Sequence, residues 1–453
     1  MLLQNNLQIN KLKLKPSTFK FKQFGHFQFL RTWRNCKFFK AVDEMEFKLP
    51  YPTDLGVGEL RELRSEALND IRAFFASLPS STDAHVTSIS IDVGHVVRAD
   101  EIDLVDLYRA LESIHKSGCS KLVLRGTEGW RPEGFAFHPD AVPRSLELRS
   151  PPLEKLFVAG SIFFSAPVAP CLYRFFSENK IKDLELEYSR LPADDMSNFL
   201  SLCVTTALKS LILHDARVSD IWGILKRNPL LEMIEVQHVV DPSSTEHPTP
   251  AINTPIRLPK LRTIYSTNRA LAAILPSFII PRRRCQPLIR IQVNLDRDDY
   301  RKVFDAEAGA SAMQLMSSYT QGVKDLVYDI APFSHCTNPV FPSPLVLAVD
   351  TLQVYCHLVA ISCFDTLLAS MVQWINSFRG LQSFVLYLPL ELYDEGACAE
   401  KISVKTNRPT KDIKAIDAEI RAFNEKQTVR ASGSSTEYSK SEFKQEDEND
   451  HDA

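Results

Sequence analysis

Several groups of residues in this chain are of the right types to do chemistry. Asp194 and Asp195 follow Pro192 and could share acid–base work. At a helix start, however, two carboxylates answer the positive end of the helix dipole, and capping explains them better. The run Asp296 to Asp299 offers oxygens to a metal. It lacks the glycine and the spaced ligands of a calcium loop, so solvation at a strand exit is the better account. His335-Cys336 and Cys356-His357 are zinc ligands by type. Adjacent strand residues point to opposite faces, so each pair could give a shared metal only one side chain. The phrase DLGVGEL has two glycines but neither the preceding strand nor the third glycine of a nucleotide loop. Arg282 to Arg284 could contact phosphate or act as a nuclear signal, and a solvated loop accounts for them more simply. No G-x-S-x-G or H-E-x-x-H occurs. These residues name no catalytic machinery, cofactor or metal.

Bulk properties narrow the classes further. A formal charge of −3 is near neutral and argues against a general nucleic-acid footprint. Apolar residues make up 44% of the chain, enough for a substantial core. Nine cysteines are scattered with no C-x-x-C, which reads as reduced core thiols in the cytosol or nucleus. The most apolar region, Leu345 to Ile375, is interrupted by Asp350, His357 and Asp365, so no membrane span is expected.

The elements that must position any site repeat along the chain. Ile181, Leu184, Leu186 and Leu191 stand at positions one, four, six and eleven of a cassette; Leu208, Leu211, Leu213 and Val218 repeat it about 27 residues later. Alternation of period two marks a half-buried strand, and the segment after each is helical in period. The spacing predicts eleven such strands at intervals of about 23 to 35 residues, beginning near Val86 and ending with LQSFVLYL. Helices are expected over Leu60 to Leu78, over Ile102 to Ile114 with Asp100 as its cap and Gly118 as its stop, and within PVAPCLYRFFSEN. The predicted fold class is α/β: an irregular solenoid with parallel strands on the concave side and helices on the convex side.

Four segments follow from this pattern. Residues 1–44 are basic and Phe-rich, with no acidic residue before Asp43, and are expected to be a disordered leader, although FKFKQFGHFQF looks strand-like. Residues 45–84 form a helical cap and residues 85–397 the array. Residues 398–453 carry a short amphipathic helix, over 411–426, and an acidic disordered tail.

The L-x-x-L-x-L cores, with phrases such as KRNPLLEMIEV and LPKLRTI, resemble the leucine-rich-repeat family. More narrowly, they resemble the divergent F-box/leucine-rich-repeat-like proteins of mushroom-lineage fungi. The resemblance covers roughly residues 85 to 390. It departs from the family at the ninth repeat position, where Gly94, Thr127, Ser161, Ser189, Ala216 and Val239 stand instead of Asn or Cys, so no asparagine ladder can run through the stack. Leu49-Pro50 precedes a helical stretch, but the closing Cys-x-x-Trp-like phrase of an F-box does not follow. The resemblance implies a ligand-binding array. It also implies, as an alternative, a substrate receptor that meets a ubiquitin-ligase adaptor.

In such an array the residues between core positions project from the strand-lined face. Lys121, Arg125 and Lys155 form a basic flank. Asp183, Glu185, Glu187, Ile212, His214, Glu235, Gln237 and Tyr265 form an acidic centre with apolar anchors. The expected function is non-catalytic: a monomer that binds a protein or peptide on this face, with no nucleic acid, membrane or cofactor. An enzyme with its site in a loop insertion is the remaining alternative. It calls for a pocket that gathers at least two titratable groups with shifted pKa values.

Overall fold

In the computed structural model, the described residues are 18–33, 42–49, 55–78, 86–94, 101–126, 153–178, 180–187, 199–200, 207–239, 256–275, 278–279, 289–294, 311–316, 323–330, 348–356, 374–375, 377–378, 380–388 and 400–405. The chain divides into two compact units, Met1–Arg297 and Asp298–Ala453.

The first unit opens with strand β1 (Thr18–Phe21), helix α1 (Phe24–Trp33), β2 (Val42–Lys48) and α2 (Val57–Ser77). It continues through β3 (Val86–Asp92), α3 (Leu104–Ser117), β4 (Lys121–Arg125), β5 (Lys155–Ala159), α4 (Ala169–Glu178) and β6 (Asp183–Glu187). β7 (Ser210–Ala216), α5 (Val218–Arg227), β8 (Met233–Val239), the two-residue β9 (Ile256–Arg257), β10 (Thr263–Thr267), α6 (Asn268–Ile274), β11 (Phe278–Ile279) and β12 (Arg290–Asn294) complete it. Every strand from β1 to β8 pairs in parallel with the next in sequence. β10 continues the sheet from β8, and β12 from β10, while β9 and β11 pair separately. Parallel neighbours in rising sequence order, many of them joined through a helix, define a leucine-rich-repeat-like α/β solenoid.

Register explains the one-four-six spacing. Ile89, Leu122, Leu156, Leu184, Leu211, Ile234, Ile264 and Ile291 are aligned across successive strands, and all are buried. A slip of one residue in any strand would turn its whole apolar set to the other face, so this alignment is strongly specified. The stack is stitched by backbone rather than by asparagine. The carbonyls of Ser120, Glu154, Lys182, Lys209, Glu232 and Arg262 each accept from two consecutive amides of the next repeat, at 2.7–3.2 Å. Opposite charges meet along the same edge, as in Lys182–Glu154 at 2.5 Å and Lys209–Glu232 at 3.5 Å. Such exposed pairs add little stability.

Helices pack in succession on one side: α1 on α2, α2 on α3, α3 on α4, and α5 on α6. α2 presents Leu60, Ala67, Ile71, Phe74 and Phe75 inward as its spacing predicts, together with Arg64, which is fully buried. After Leu49-Pro50, α2 occupies Val57–Ser77. In α3 the N-cap is Asp103, whose side chain accepts from the amides of Val105 and Asp106, and Gly118 stops the helix at φ 76°. The expected cap, Asp100, lies outside the described residues. Val105 is exposed because, two residues before the buried Leu107, it falls on the opposite side of α3. Cys119 and Cys171 are buried thiols, and burial pushes that of Cys119 up to about 12. No helix among the described residues is long and apolar enough to cross a membrane.

The N-terminal segment corrects one expectation. Residues 18–33 and 42–44, assigned above to a disordered leader, belong to β1, α1 and the start of β2. Within FKFKQFGHFQF only the first residues are strand; helix begins at Phe24. Phe21 stacks on Phe47 at 5.0 Å, with Phe27 and Leu30 buried nearby in α1. The alternating Lys20 and Lys22 reach Glu46 at 3.0 and 3.7 Å. The array therefore starts before residue 85, and its cap region already contains a ladder strand.

In the second unit β13 (Val323–Ile330), β14 (Val349–Cys356) and β15 (Ser383–Leu388) continue the parallel pattern. β16 (Glu400–Lys405) then pairs antiparallel with β15. The array pattern was expected to end near residue 398, and the strand that follows is not a further parallel repeat: its alternating Ile402 and Val404 stand opposite Leu386 and Phe384. The helix expected over 411–426 and the acidic tail lie outside the described residues.

Candidate functional site

All eleven residues of the predicted face lie on strands of the first unit, and ladder register brings them into rows. Lys121, Lys155 and Asp183 are aligned on β4, β5 and β6, followed by Ser210, Met233 and Thr263. In the next row Phe157, Glu185, Ile212, Glu235 and Tyr265 stand side by side. Arg125, Glu187, His214 and Gln237 lie one step further along their strands. The basic flank and the acidic centre are thus adjacent strands of one surface.

A depression of about 220 Å³ opens on this surface, lined among others by Lys121, Lys155, Phe157, Asp183, Glu185 and Ile212. Lys155 Nζ lies 2.7 Å from Asp183, whose hydrogen bond and charge hold the lysine above its ordinary range. The Arg125 guanidinium covers the Phe157 ring at 5.3 Å, a cation–π contact. Gln237 donates to Glu235. Glu185 is the most perturbed group of the centre. Burial first, then the charge of Glu187, a hydrogen bond shared with it and the charge of Glu235, push it from 4.5 to about 7 against Arg125. Glu235 is raised as well, again by burial first.

One predicted contact residue is placed differently. His214 was expected to project from the face, yet it is buried, with Nε2 3.7 Å from Glu187. Glu187 on one neighbouring strand and Gln237 on the other flank it closely enough to remove it from solvent. Phe157 was missed, although it occupies the same fifth cassette position as Glu185, Ile212 and Tyr265. Applying that position uniformly to LEKLFVAG would have found it.

No family model and no curated protein matches this chain. Among solved structures, the leucine-rich repeat-containing protein LegL7 from Legionella pneumophila is similar, at 13% identity over 76% of this chain and 90% of that one, with a TM-score of 0.35. The repeat architecture stands on the chain's own strand ladder.

The depression does gather two shifted groups, Glu185 and Lys155, as the enzyme alternative required, but on the strands of the array and not in a loop insertion. The Lys155 shift comes from its ion pair, and the Ser210 hydroxyl donates to Met233 Sδ at 3.8 Å rather than to a base. Among the described residues no group of three or more His, Cys, Asp or Glu is arranged to hold a metal. Asp194-Asp195, the 296–299 run, Arg282 to Arg284, His335-Cys336 and His357 fall outside the described residues.

The raised carboxyl of Glu185 has a consequence for stability. Between pH 4.5 and 7 the unfolded chain gives up this proton first, so the folded state binds more protons and loses stability as pH rises. Glu185→Gln should match the parent at pH 4 and be more stable at pH 8 by about 1 kcal/mol, the full shift being discounted for partial solvation. Urea unfolding at the two pH values checks this. Equal differences at both would show that the carboxylate is not strained.

Proposed function

We propose that this chain is a non-catalytic interaction protein that holds a protein or peptide partner on its strand-lined face, across β4 to β10. The observation that carries the reading is the row Phe157, Glu185, Ile212, Glu235, Tyr265, whose members are all partly exposed and held on a continuous parallel ladder. Large apolar and aromatic side chains on a rigid support, next to desolvated charge, are what interface hot spots are made of. Buried thiols such as Cys119 suit a reducing compartment, and we place the protein in the cytosol or nucleus.

The test uses the full chain as bait, with partners identified by quantitative mass spectrometry and then remeasured in purified form. Joint replacement of Phe157, Ile212 and Tyr265 by alanine should weaken binding by about 100-fold or more, at ~1–2 kcal/mol per anchor. Val105→Ala, on the helix side, should leave it unchanged. Retention of every partner by the triple variant would end the proposal.

A further inference from the structure

We propose that the partner segment is a cationic amphipathic α-helix laid across the strands, with apolar side chains against Phe157, Ile212 and Tyr265 and Lys or Arg against Glu185 and Glu235. This rests on the docking reading above and adds the chemistry of the partner.

Charge is the first argument. Several acids on these strands have a cation nearby: Glu46 meets Lys20 at 3.0 Å, Asp92 meets Lys48 at 3.9 Å, and Asp183 meets Lys155 at 2.7 Å. Glu185 feels the charge of Arg125 without forming an ion pair, and neither it nor Glu235 has an ion pair among the described residues, although both are partly buried. Both carboxyls are pushed up, burial being the first cause, so the face holds two carboxylates at a cost. A cation supplied from outside lowers that cost. An anionic or nucleic-acid partner would raise it.

Spacing is the second argument. Along the row the side chains alternate strand by strand: apolar on β5, β7 and β10, acidic on β6 and β8. Neighbouring strands lie about 4.8 Å apart, so the partner must offer one inward side chain about every 5 Å over roughly 19 Å. An α-helix brings a side chain to one face every turn, about 5.4 Å, and five of them span about 21 Å. An extended strand repeats on one side only every ~6.7 Å, and a polyproline helix every ~9.3 Å, so neither meets successive strands. The matching sequence has an apolar residue every seven positions and Lys or Arg three or four residues after each.

The test is calorimetry of the full chain with designed peptides of about 20 residues carrying Leu at every seventh position. One has lysine at the intervening contact positions, a second has glutamate there, and a third is the lysine peptide broken by a central proline. The lysine peptide should bind about tenfold or more tighter than either of the others, and Glu185→Gln/Glu235→Gln should weaken it by about tenfold or more. Equal binding of the glutamate peptide, or undiminished binding to the double variant, overturns the cationic partner. Equal binding of the proline peptide overturns the helix. If no peptide binds while the Phe157/Ile212/Tyr265 variant still loses its captured partners, only the partner's chemistry fails. If that variant loses nothing, the docking face fails with it.

Discussion

Arg64→Met is expected to destabilise the first unit by about 3–5 kcal/mol, because it leaves a buried carboxylate behind. Arg64 is fully buried although it projects from a helix, and Glu101, its ion-pair partner at 3.5 Å, has a side chain only 8% exposed. The Arg64 guanidinium also donates to the Glu101 carbonyl at 3.4 Å, and it lies beneath the turn at Gly94. It therefore ties α2 to the connection between β3 and α3 from inside. Removing the cation takes a close partner from both a carboxylate and a carbonyl in a low-dielectric setting. Replacing both side chains, Arg64→Met with Glu101→Leu, should recover much of the loss, since a well-packed apolar pair matches a buried ion pair. Urea unfolding of the two variants decides it. A loss below about 1 kcal/mol in the single variant would mean that Glu101 finds water or another partner.

Gly160→Ala should cost about 3 kcal/mol or more. Gly160 has φ 104°, where a side chain is strained, and a Cβ there would sit 2.9 Å from the backbone carbon and oxygen of Gly126 in the preceding repeat. Neither backbone is free to yield: Gly126 N donates to Ala159 O at 2.7 Å, and Gly160 N to Glu187 O at 3.1 Å. At Gly126 the obstacle is different, since an added Cβ meets the Ile162 Cγ2 methyl at 2.8 Å. A packed side chain can shift a few tenths of an ångström where a hydrogen-bonded peptide cannot, and Gly126 needs no positive φ, so Gly126→Ala should lose less, about 1–2 kcal/mol. Thermal unfolding of the pair gives the order. Were Gly126→Ala the worse of the two, backbone contact between repeats would not be the limiting factor. Because Gly160 directly follows β5, its replacement should also disturb Phe157 and weaken partner binding.

Much of the fold could be read from spacing alone, and where the reading failed the spacing was overruled. Val42, Met45 and Phe47 obey the same one-four-six rule as Ile181, Leu184 and Leu186, and all three are buried. Phe19 and Phe21 align with Met45 and Phe47 one strand earlier. The basic composition of the first forty-odd residues hid this, because lysines at alternate strand positions look like a charged leader until Glu46 is placed beside them. The surface was legible at the same level. Residues between core positions of a parallel strand must face away from the core, so Glu185, Ile212, Glu235 and Tyr265 were found and Phe157 could have been.

What the sequence determined by itself is periodic and local: strand phase, the side of the sheet each residue takes, the stop at Gly118, and the α/β repeat architecture. These follow from covalent geometry and from burying every apolar residue of a short segment at once. What only the tertiary structure decided depends on neighbours a full repeat away. The burial of His214 between Glu187 and Gln237, the internal pairing of Arg64 with Glu101, the raised carboxyl of Glu185 and the antiparallel turn to β16 are of this kind. Their energies are set by desolvation and by charges brought within a few ångströms across strands. No pattern within one cassette records which side chain the next cassette will set beside it.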